Sequence, residues 1–383
     1  MRVGIITIYY RNYNYGGLLQ SYALPIFLNK IGYEAQQITF DRYITKSIAS
    51  RLKAQDKNVK ILVKKAWDKI YNIIAEEYNQ RITKILIGHK LDARKENFEK
   101  FEKAIPHSNH IYSIFDIEKA NQEYDVFIVG SDVIWSGAVD PYIASLKFTN
   151  KKKFSYAASL SFAHISSEWM LQYKDGLKKL NAIGVREKSI EMDLNKLGLD
   201  AKNVLDPTFL LEREEWNKIA ITSKRKEKYV FAYLLGDNIY QRRIIENFAQ
   251  EVKIEIVTIP FAVNDKYRSC DKKFGNKKDI SAGPAEWIGL IRDAEYVFTD
   301  SFHAIVFSII FHKDFYAFQR FNGKKANGAR IISILEKFSL LERLVETDTI
   351  CNSQSIDYRR IDEILEKEKI SSKKFLLNAL LEN

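Results

Sequence analysis

Short unbroken apolar runs alternate along this chain with stretches in which apolar residues recur every three or four positions. Runs of the first kind suit strands buried on both faces, and the second kind suits helices with one face in a core. Residues 3–9 predict a first strand, residues 18–31 a helix with Leu18, Tyr22, Ile26 and Leu28 on one side, and residues 37–40 a second strand. Residues 125–129 form an apolar run that ends in Gly130, and further strands are expected at 153–158 and 182–185, with a helix at 187–197. After the charged stretch 213–228 a second series begins, with strands at 229–234, 254–259, 296–300 and 315–318 and helices at 239–252, 287–294 and from Ser301. A charged, periodic tail, 356–381, reads as helical. Such alternation predicts an α/β protein with parallel sheets.

A chain of 383 residues exceeds what one core usually supports. We therefore expect two Rossmann-like domains, 1–206 and 207–383, with the junction at Asp206-Pro207-Thr208. Ligands of such folds bind beyond the carboxyl ends of the strands. A helical insertion, about 44–105, interrupts the first series. Within it Val63, Ala66, Trp67, Ile70 and Ile74 fall at helical spacing, with Lys64, Lys65, Asp68 and Lys69 on the other side. This fits first an ordinary surface helix with a solvated charged face; the sharper alternative is a basic helix lying on anionic lipid headgroups.

Charge sharpens that choice. The formal net charge is +11, and between Arg42 and Lys103 there are 16 Lys/Arg against 8 Asp/Glu, a net of +8. The excess thus sits in one segment, which argues against nucleic-acid binding by the whole surface. The composition is that of a globular protein: 46% hydrophobic, with only 16 Gly and 6 Pro to supply flexible linkers. The apolar N-terminus is too short for a membrane span and lacks a small-residue cleavage site. Cys270 and Cys351 stand far apart, without metal or redox spacing, and no His/Asp/Glu cluster has ligand spacing, so neither a metal nor a cofactor is expected. A reducing cytoplasm fits, with the inner face of the membrane as the place where the basic insertion would make peripheral contact.

Four motifs carry candidate chemistry, each at a strand-to-helix turn. Asn14, Gly16 and Gly17 open the first helix, where adjacent glycines allow close approach and free N–H groups can meet an anion or sugar hydroxyls. The spacing matches neither a dinucleotide fingerprint nor a Walker loop. Gly130-Ser131-Asp132 places Ser131 and Asp132 at the cleft edge, with Trp135 as a stacking platform for a sugar ring and Asp132 as a base for a hydroxyl; an N-cap beside a core tryptophan is the plainer alternative. Arg186, after residues 182–185, offers a fork of donors to a carboxylate or phosphate, or pairs with Glu187. Thr299-Asp300-Ser301-Phe302-His303 sets His303 in the first turn of a helix facing the cleft, where the helix N-terminus and a bound phosphate act oppositely on its proton.

Together with Tyr156-Ala157-Ala158-Ser159 and Leu205-Asp206-Pro207-Thr208, these motifs occur in an order that resembles the polysaccharide pyruvyl transferase family, from about residue 1 to about 345. The resemblance implies a fold similar to GT-B glycosyltransferases, with phosphoenolpyruvate as donor substrate between the domains. It also implies a sugar acceptor, often a lipid-linked or growing bacterial surface glycan such as capsular polysaccharide or exopolysaccharide. Where many members carry Arg-x-His, this chain has Ser301-Phe302-His303. Arg320 and Arg330 are then candidates to supply the missing guanidinium, beside Arg186 and Ser301 as donor-binding residues. His303 is the expected acid or phosphate ligand, and Asp132 or Asp300 the expected base. A nucleotide-sugar glycosyltransferase of the same architecture, and a degenerate glycan-binding member without catalysis, are the competing readings.

Overall fold

The computed structural model describes residues 1–42, 62–160, 162–222, 225–263, 266–322, 325–326, 328–347, 350 and 355–381, with the side chains of 62–82 excepted. Cys351 and the apolar stripe from Val63 to Ile74 therefore lie outside the described side chains.

The first half is built on a parallel sheet of seven strands. These are β1 (Arg2–Ile6), β2 (Glu34–Phe40), β3 (His107–Tyr112), β4 (Val126–Val129), β5 (Lys152–Ala158), β6 (Ala182–Val185) and β7 (Ala201–Asn203), in the spatial order β3-β2-β1-β4-β5-β6-β7. The apolar cores of β1 and β4 are buried on both faces, which is why they read as continuous hydrophobic runs. Helix α1 (Tyr15–Lys30) links β1 to β2, and the long α2 (Leu62–Ala104) precedes β3. Strand β3, His-Ser-Asn-His-Ile-Tyr, is polar and at the sheet edge, so no apolar run announces it.

The second half holds a parallel sheet in the order β12-β9-β8-β13-β14. Its strands are β8 (Tyr229–Tyr233), β9 (Glu255–Thr258), β12 (Lys277–Lys278), β13 (Tyr296–Thr299) and β14 (Asp314–Ala317). Two short hairpins, β10 (Ala262–Val263) with β11 (Lys266–Tyr267) and β15 (Phe321–Asn322) with β16 (Lys325–Ala326), extend its loops. Helix α3 (Lys188–Lys196) follows β6, while α4 (Pro284–Arg292), α5 (Phe302–Ile310), α6 (Ala329–Lys337) and the tail α7 (Tyr358–Leu381) belong to the later chain. All nine residues of α5 are buried, as an apolar helix without a polar face requires.

In each sheet the strand order reverses beside the first strand, between β1 and β4 and between β8 and β13. At such points the loops diverge and leave a crevice. The two crevices face one another across an aromatic seam. Tyr15 stacks on Trp287 at 5.5 Å and meets Tyr233 edge-on at 5.6 Å, while Tyr22 meets Trp216 at 6.0 Å. One apolar cluster runs through the seam, from Val3 and Leu18 through Phe98 to Phe231, Trp287 and Phe307.

Two placements differ from the sequence-based expectation. The last part of α2 is a strut between the halves, not a peripheral arm: Phe98 packs on Tyr15 at 4.7 Å, and Asn97 donates to the Ser281 carbonyl at 3.0 Å. Helix α7 was assigned with the second half, and it begins there, with His312 Nε2 2.8 Å from Asp362 Oδ1. It ends on the first sheet, where Ser372 Oγ accepts from Leu205 N–H at 2.9 Å and Lys152 donates to the Leu380 carbonyl at 2.8 Å.

Candidate active site

The carboxyl ends of β1, β4, β5, β6, β8 and β13 deliver the candidate residues to the seam, and α1 presents its N-terminus there. Asn14 caps that helix, its Oδ1 accepting from Gly17 N–H at 3.0 Å. Gly16 has a steric reason to be glycine: a Cβ there would stand 1.9 Å from Nδ1 of His303, in the first turn of α5. The imidazole of the second half thus rests directly on the first turn of a helix from the first half. Gly17 faces Asp132, whose Oδ2 lies 3.3 Å from where a Gly17 Cβ would be. Asp132 holds a left-handed φ of 48°, which aspartate tolerates better than most residues.

Behind His303 lies the buried carboxylate of Asp206, for which sequence reasoning supplies no role beyond its place in the Leu205–Thr208 motif. Asp206 Oδ2 accepts from Arg186 Nη1 at 2.8 Å and from Ser131 Oγ at 3.1 Å, and stands 3.6 Å from His303 Nε2. Its Oδ1 accepts from Thr208 N–H at 3.1 Å and Thr208 Oγ1 at 2.7 Å. Burial alone would raise the pKa of Asp206. The His303 imidazole, the Arg186 guanidinium and the Thr208 hydroxyl outweigh it and hold the carboxyl well below the usual range. His303 Nε2 is buried without a hydrogen bond, so the ring is held between Asp206 and Gly16.

Several sequence-based assignments are corrected by this arrangement. Arg186 is not a free anchor: it is 4% exposed, Nη1 serves Asp206, Nη2 donates to Ser159 Oγ at 2.8 Å, Nε points at Glu187, and its guanidinium lies 4.2 Å over the Phe302 ring. Ser131 is fully buried and spends its hydroxyl on Asp206. Trp135 is no platform for a sugar, being fully buried against Trp169 with Nε1 donating to the Ala144 carbonyl at 2.8 Å. Asp300 has both carboxylate oxygens engaged by backbone N–H groups, which leaves neither turned toward the seam. Its two oxygens accept from Leu235 N–H at 2.6 Å and Gly236 N–H at 2.7 Å, and burial pushes its pKa up despite Arg320 nearby. Asp300 fixes the loop after β8.

What remains open toward the seam is a smaller set: His303, Asp132, Ser301, Arg320 and Arg330, over the N-terminus of α1. Ser301 is the N-cap residue of α5 but makes no side-chain cap bond. Arg320 donates from Nη2 to the Asp300 carbonyl at 3.0 Å, while its Nε is buried without a partner. Arg330, half-buried in the first turn of α6, has no hydrogen bond or ion pair among the described residues. Its pKa is pushed down to about 10, by burial first and then by the charges of Arg186 and Arg320, with Asp132 and Glu187 opposing. Arg330 is thus an unpaired cation whose charge burial disfavours, in the first turn of α6. The pocket between Arg330, Arg186, Asp206 and Phe302 encloses only about 10 Å³. Among the described residues no three His, Cys, Asp or Glu side chains stand together as metal ligands, and no helix is long and apolar enough to cross a membrane.

Comparison with solved structures places the fold. The chain is similar to UDP-GlcNAc 2-epimerase from Neisseria meningitidis bound to UDP-GlcNAc, with a TM-score of 0.55 and 10% identity over 100% of both chains. It also resembles a UDP-N-acetylglucosamine 2-epimerase from Listeria monocytogenes (TM-score 0.52, 11% identity, covering 98% of this chain and 90% of that one). These are GT-B folds, and at such identities the likeness concerns architecture alone. No curated protein matches by sequence. The family model described as polysaccharide pyruvyl transferase matches residues 14–320, a span that holds every open side chain of the seam except Arg330. The chain belongs to the polysaccharide pyruvyl transferase family.

Proposed function

We propose that this protein transfers the enolpyruvyl unit of phosphoenolpyruvate to two hydroxyls of one sugar, as a cyclic ketal on a bacterial surface glycan or its precursor. The observation that carries the reading is the unpaired Arg330, which lines one pocket with Asp206, the carboxylate 3.6 Å from His303 Nε2, a cationic seat of the kind a phosphorylated acid needs. The donor's phosphate lies there, with Ser301 as a further hydroxyl donor. Asp132 takes the proton of the first sugar hydroxyl as its oxygen bonds to C2 of the donor, and His303 protonates C3, turning methylene into methyl. The second hydroxyl then bonds to C2 as the C–O bond to phosphate breaks. That hydroxyl's proton leaves with the displaced phosphate, and the ketal ring closes. Asp206 has no contact with the reacting atoms and acts through His303.

The test is phosphate release from phosphoenolpyruvate with candidate glycan acceptors, and the ketal methyl signal in the product. His303→Ala should abolish both while the protein stays folded; retained turnover would remove His303 from the mechanism. Because the N. meningitidis neighbour is bound to UDP-GlcNAc, nucleotide sugars form the competing ligand set. Thermal protection by a nucleotide sugar and none by phosphoenolpyruvate would favour a glycosyltransferase instead. The reading extends to a lipid-borne acceptor, since Ile85 and Leu86 stand 81% and 62% exposed on α2, next to Lys84. Flotation with anionic vesicles, abolished by Ile85→Asp with Leu86→Asp, checks that extension; binding unaffected by the pair would end it.

A further inference from the structure

Buried polar atoms without partners are scarce in folded proteins. Among the described residues, four of them gather at this one seam: Trp287 Nε1, His303 Nε2, Arg320 Nε and Arg94 Nη1; of these the last three belong to groups that can carry charge. His303 and Arg320 are expected there. Arg94 comes from α2, inside a run of mixed charges that gives no sign of it.

The guanidinium of Arg94 lies 5.2 Å over the Tyr15 ring and 5.7 Å from that of Phe98, a stack that holds its plane against the seam. Tyr15 meets Tyr233, the last residue of β8, whose loop is the one that Asp300 fixes. Arg320 comes to the same corner from the second half, donating to the carbonyl of Asp300, the residue after Thr299, which pairs with Tyr233 across β13 and β8. Neither arginine has a carboxylate in an ion pair among the described residues. The acids whose charge reaches Tyr15 are already engaged, Asp279 with Arg225 at 3.5 Å and Glu286 with Gly283 N–H at 3.0 Å. Two guanidinium groups, each with a buried idle N–H, thus come to one corner without an anion between them.

We propose that Arg94 and Arg320 form a carboxylate subsite spanning the two halves, which takes the carboxylate of the donor while its phosphate lies between His303 and Arg330. This rests on the donor assigned above. It makes the insertion helix part of the substrate site, and gives the departure at Ser301 a counterpart, since one guanidinium comes from α2.

Titration calorimetry with wild type, Arg94→Gln and Arg94→Lys decides it, using phosphoenolpyruvate, inorganic phosphate and malonate as probes. Malonate, a small dicarboxylate, reports on the subsite whatever the donor is. A charge-assisted hydrogen bond lost from a carboxylate corresponds to roughly tenfold to a hundredfold in affinity. Arg94→Gln should weaken phosphoenolpyruvate and malonate by that factor and leave inorganic phosphate within about twofold. Arg94→Lys should recover part of the loss, because it keeps the charge but not the planar fork. Unchanged affinity for both carboxylates would overturn the subsite. So would equal weakening of all three ligands with a lowered melting temperature, which marks a structural role. A wild type that binds malonate in an Arg94-dependent way but ignores phosphoenolpyruvate would refute the donor and keep the subsite. A wild type that binds no probe would refute both.

Discussion

Gly16→Ala separates stability from catalysis at this site. The added Cβ would stand 1.9 Å from Nδ1, 2.2 Å from Cγ and 2.5 Å from Cε1 of His303. An ordinary contact begins near 3.4 Å, so ring and helix must part by about 1.5 Å. Overpacking of this kind costs about 1–3 kcal/mol. Alanine in place of glycine within a helix returns up to about 1 kcal/mol. The net loss is therefore about 0–3 kcal/mol, small for a protein with this much buried surface. Catalysis should suffer far more, since a displacement of about 1 Å at a reacting group costs on the order of a hundredfold. The assay is phosphate release at saturating phosphoenolpyruvate and acceptor, alongside a melting curve and the His303 ring resonances by NMR. We expect kcat down by about a hundredfold, a melting temperature within a few degrees, and a shifted imidazole signal. Gly88→Ala on α2 is the control, because its Cβ meets only the flexible Lys84 side chain, at 3.3 Å. A folded Gly16→Ala enzyme with kcat within about threefold of wild type would refute the claim that His303 must sit on α1.

Three further outcomes follow from the same geometry. Asp206→Asn removes the closer of the two carboxylates beside the buried Arg186 guanidinium, leaving Glu187 at 3.4 Å, and should cost about 3–5 kcal/mol at pH 7 by denaturant unfolding. The folded-state pKa of Asp206 is depressed, so its contribution is complete above the unfolded value of about 4 and is lost as pH falls through the lower folded value; the variant's acid dependence should accordingly be flatter, and equal stability at pH 7 would count against the hub. Arg330→Gln removes a cation whose folded-state pKa is down to about 10, so its unfavourable burial acts at every pH below that and is relieved only as pH rises through it. The variant should melt higher without ligand and lose stabilisation by phosphate; a lower melting point, or an undiminished phosphate effect, would contradict this. Trp135→Phe should lower stability by about 1–3 kcal/mol through the lost bond to Ala144 and lost packing, with turnover per folded molecule unchanged. A selective loss of acceptor affinity would restore the sugar platform.

The fold was legible where the physics is local. Strands such as β4 and β13 are apolar on both faces, and Asn14 with two glycines announces a helix start by composition alone. Strand β3 escaped because an edge strand need not be apolar. At the site, position along the strand was readable but the direction of the side chain was not. Ser131 and Asp132 are neighbours, yet one hydroxyl is buried on Asp206 and the other residue faces α1. Asp206 itself draws its partners from positions 75 residues before it and 20 before it, separations at which no periodicity operates. Arg94 was hidden for another reason: in a segment with many cations, nothing local distinguishes the one that turns inward.

The course of α7 bears on how substrate reaches a pocket of about 10 Å³. The polypeptide passes between the halves at Leu205–Leu211 and again along α7, and the two passages are pinned together where Leu205 N–H meets Ser372 Oγ. A rigid rod of about 36 Å, rather than a slack tether, thus lies against the other connection. Joined this way, the lobes resemble a book with a stiff spine. Two connections pinned side by side favour a swing about one line over a slide or a twist, as a hinge does. A point change on α7, remote from the seam, is then expected to alter the opening between the lobes.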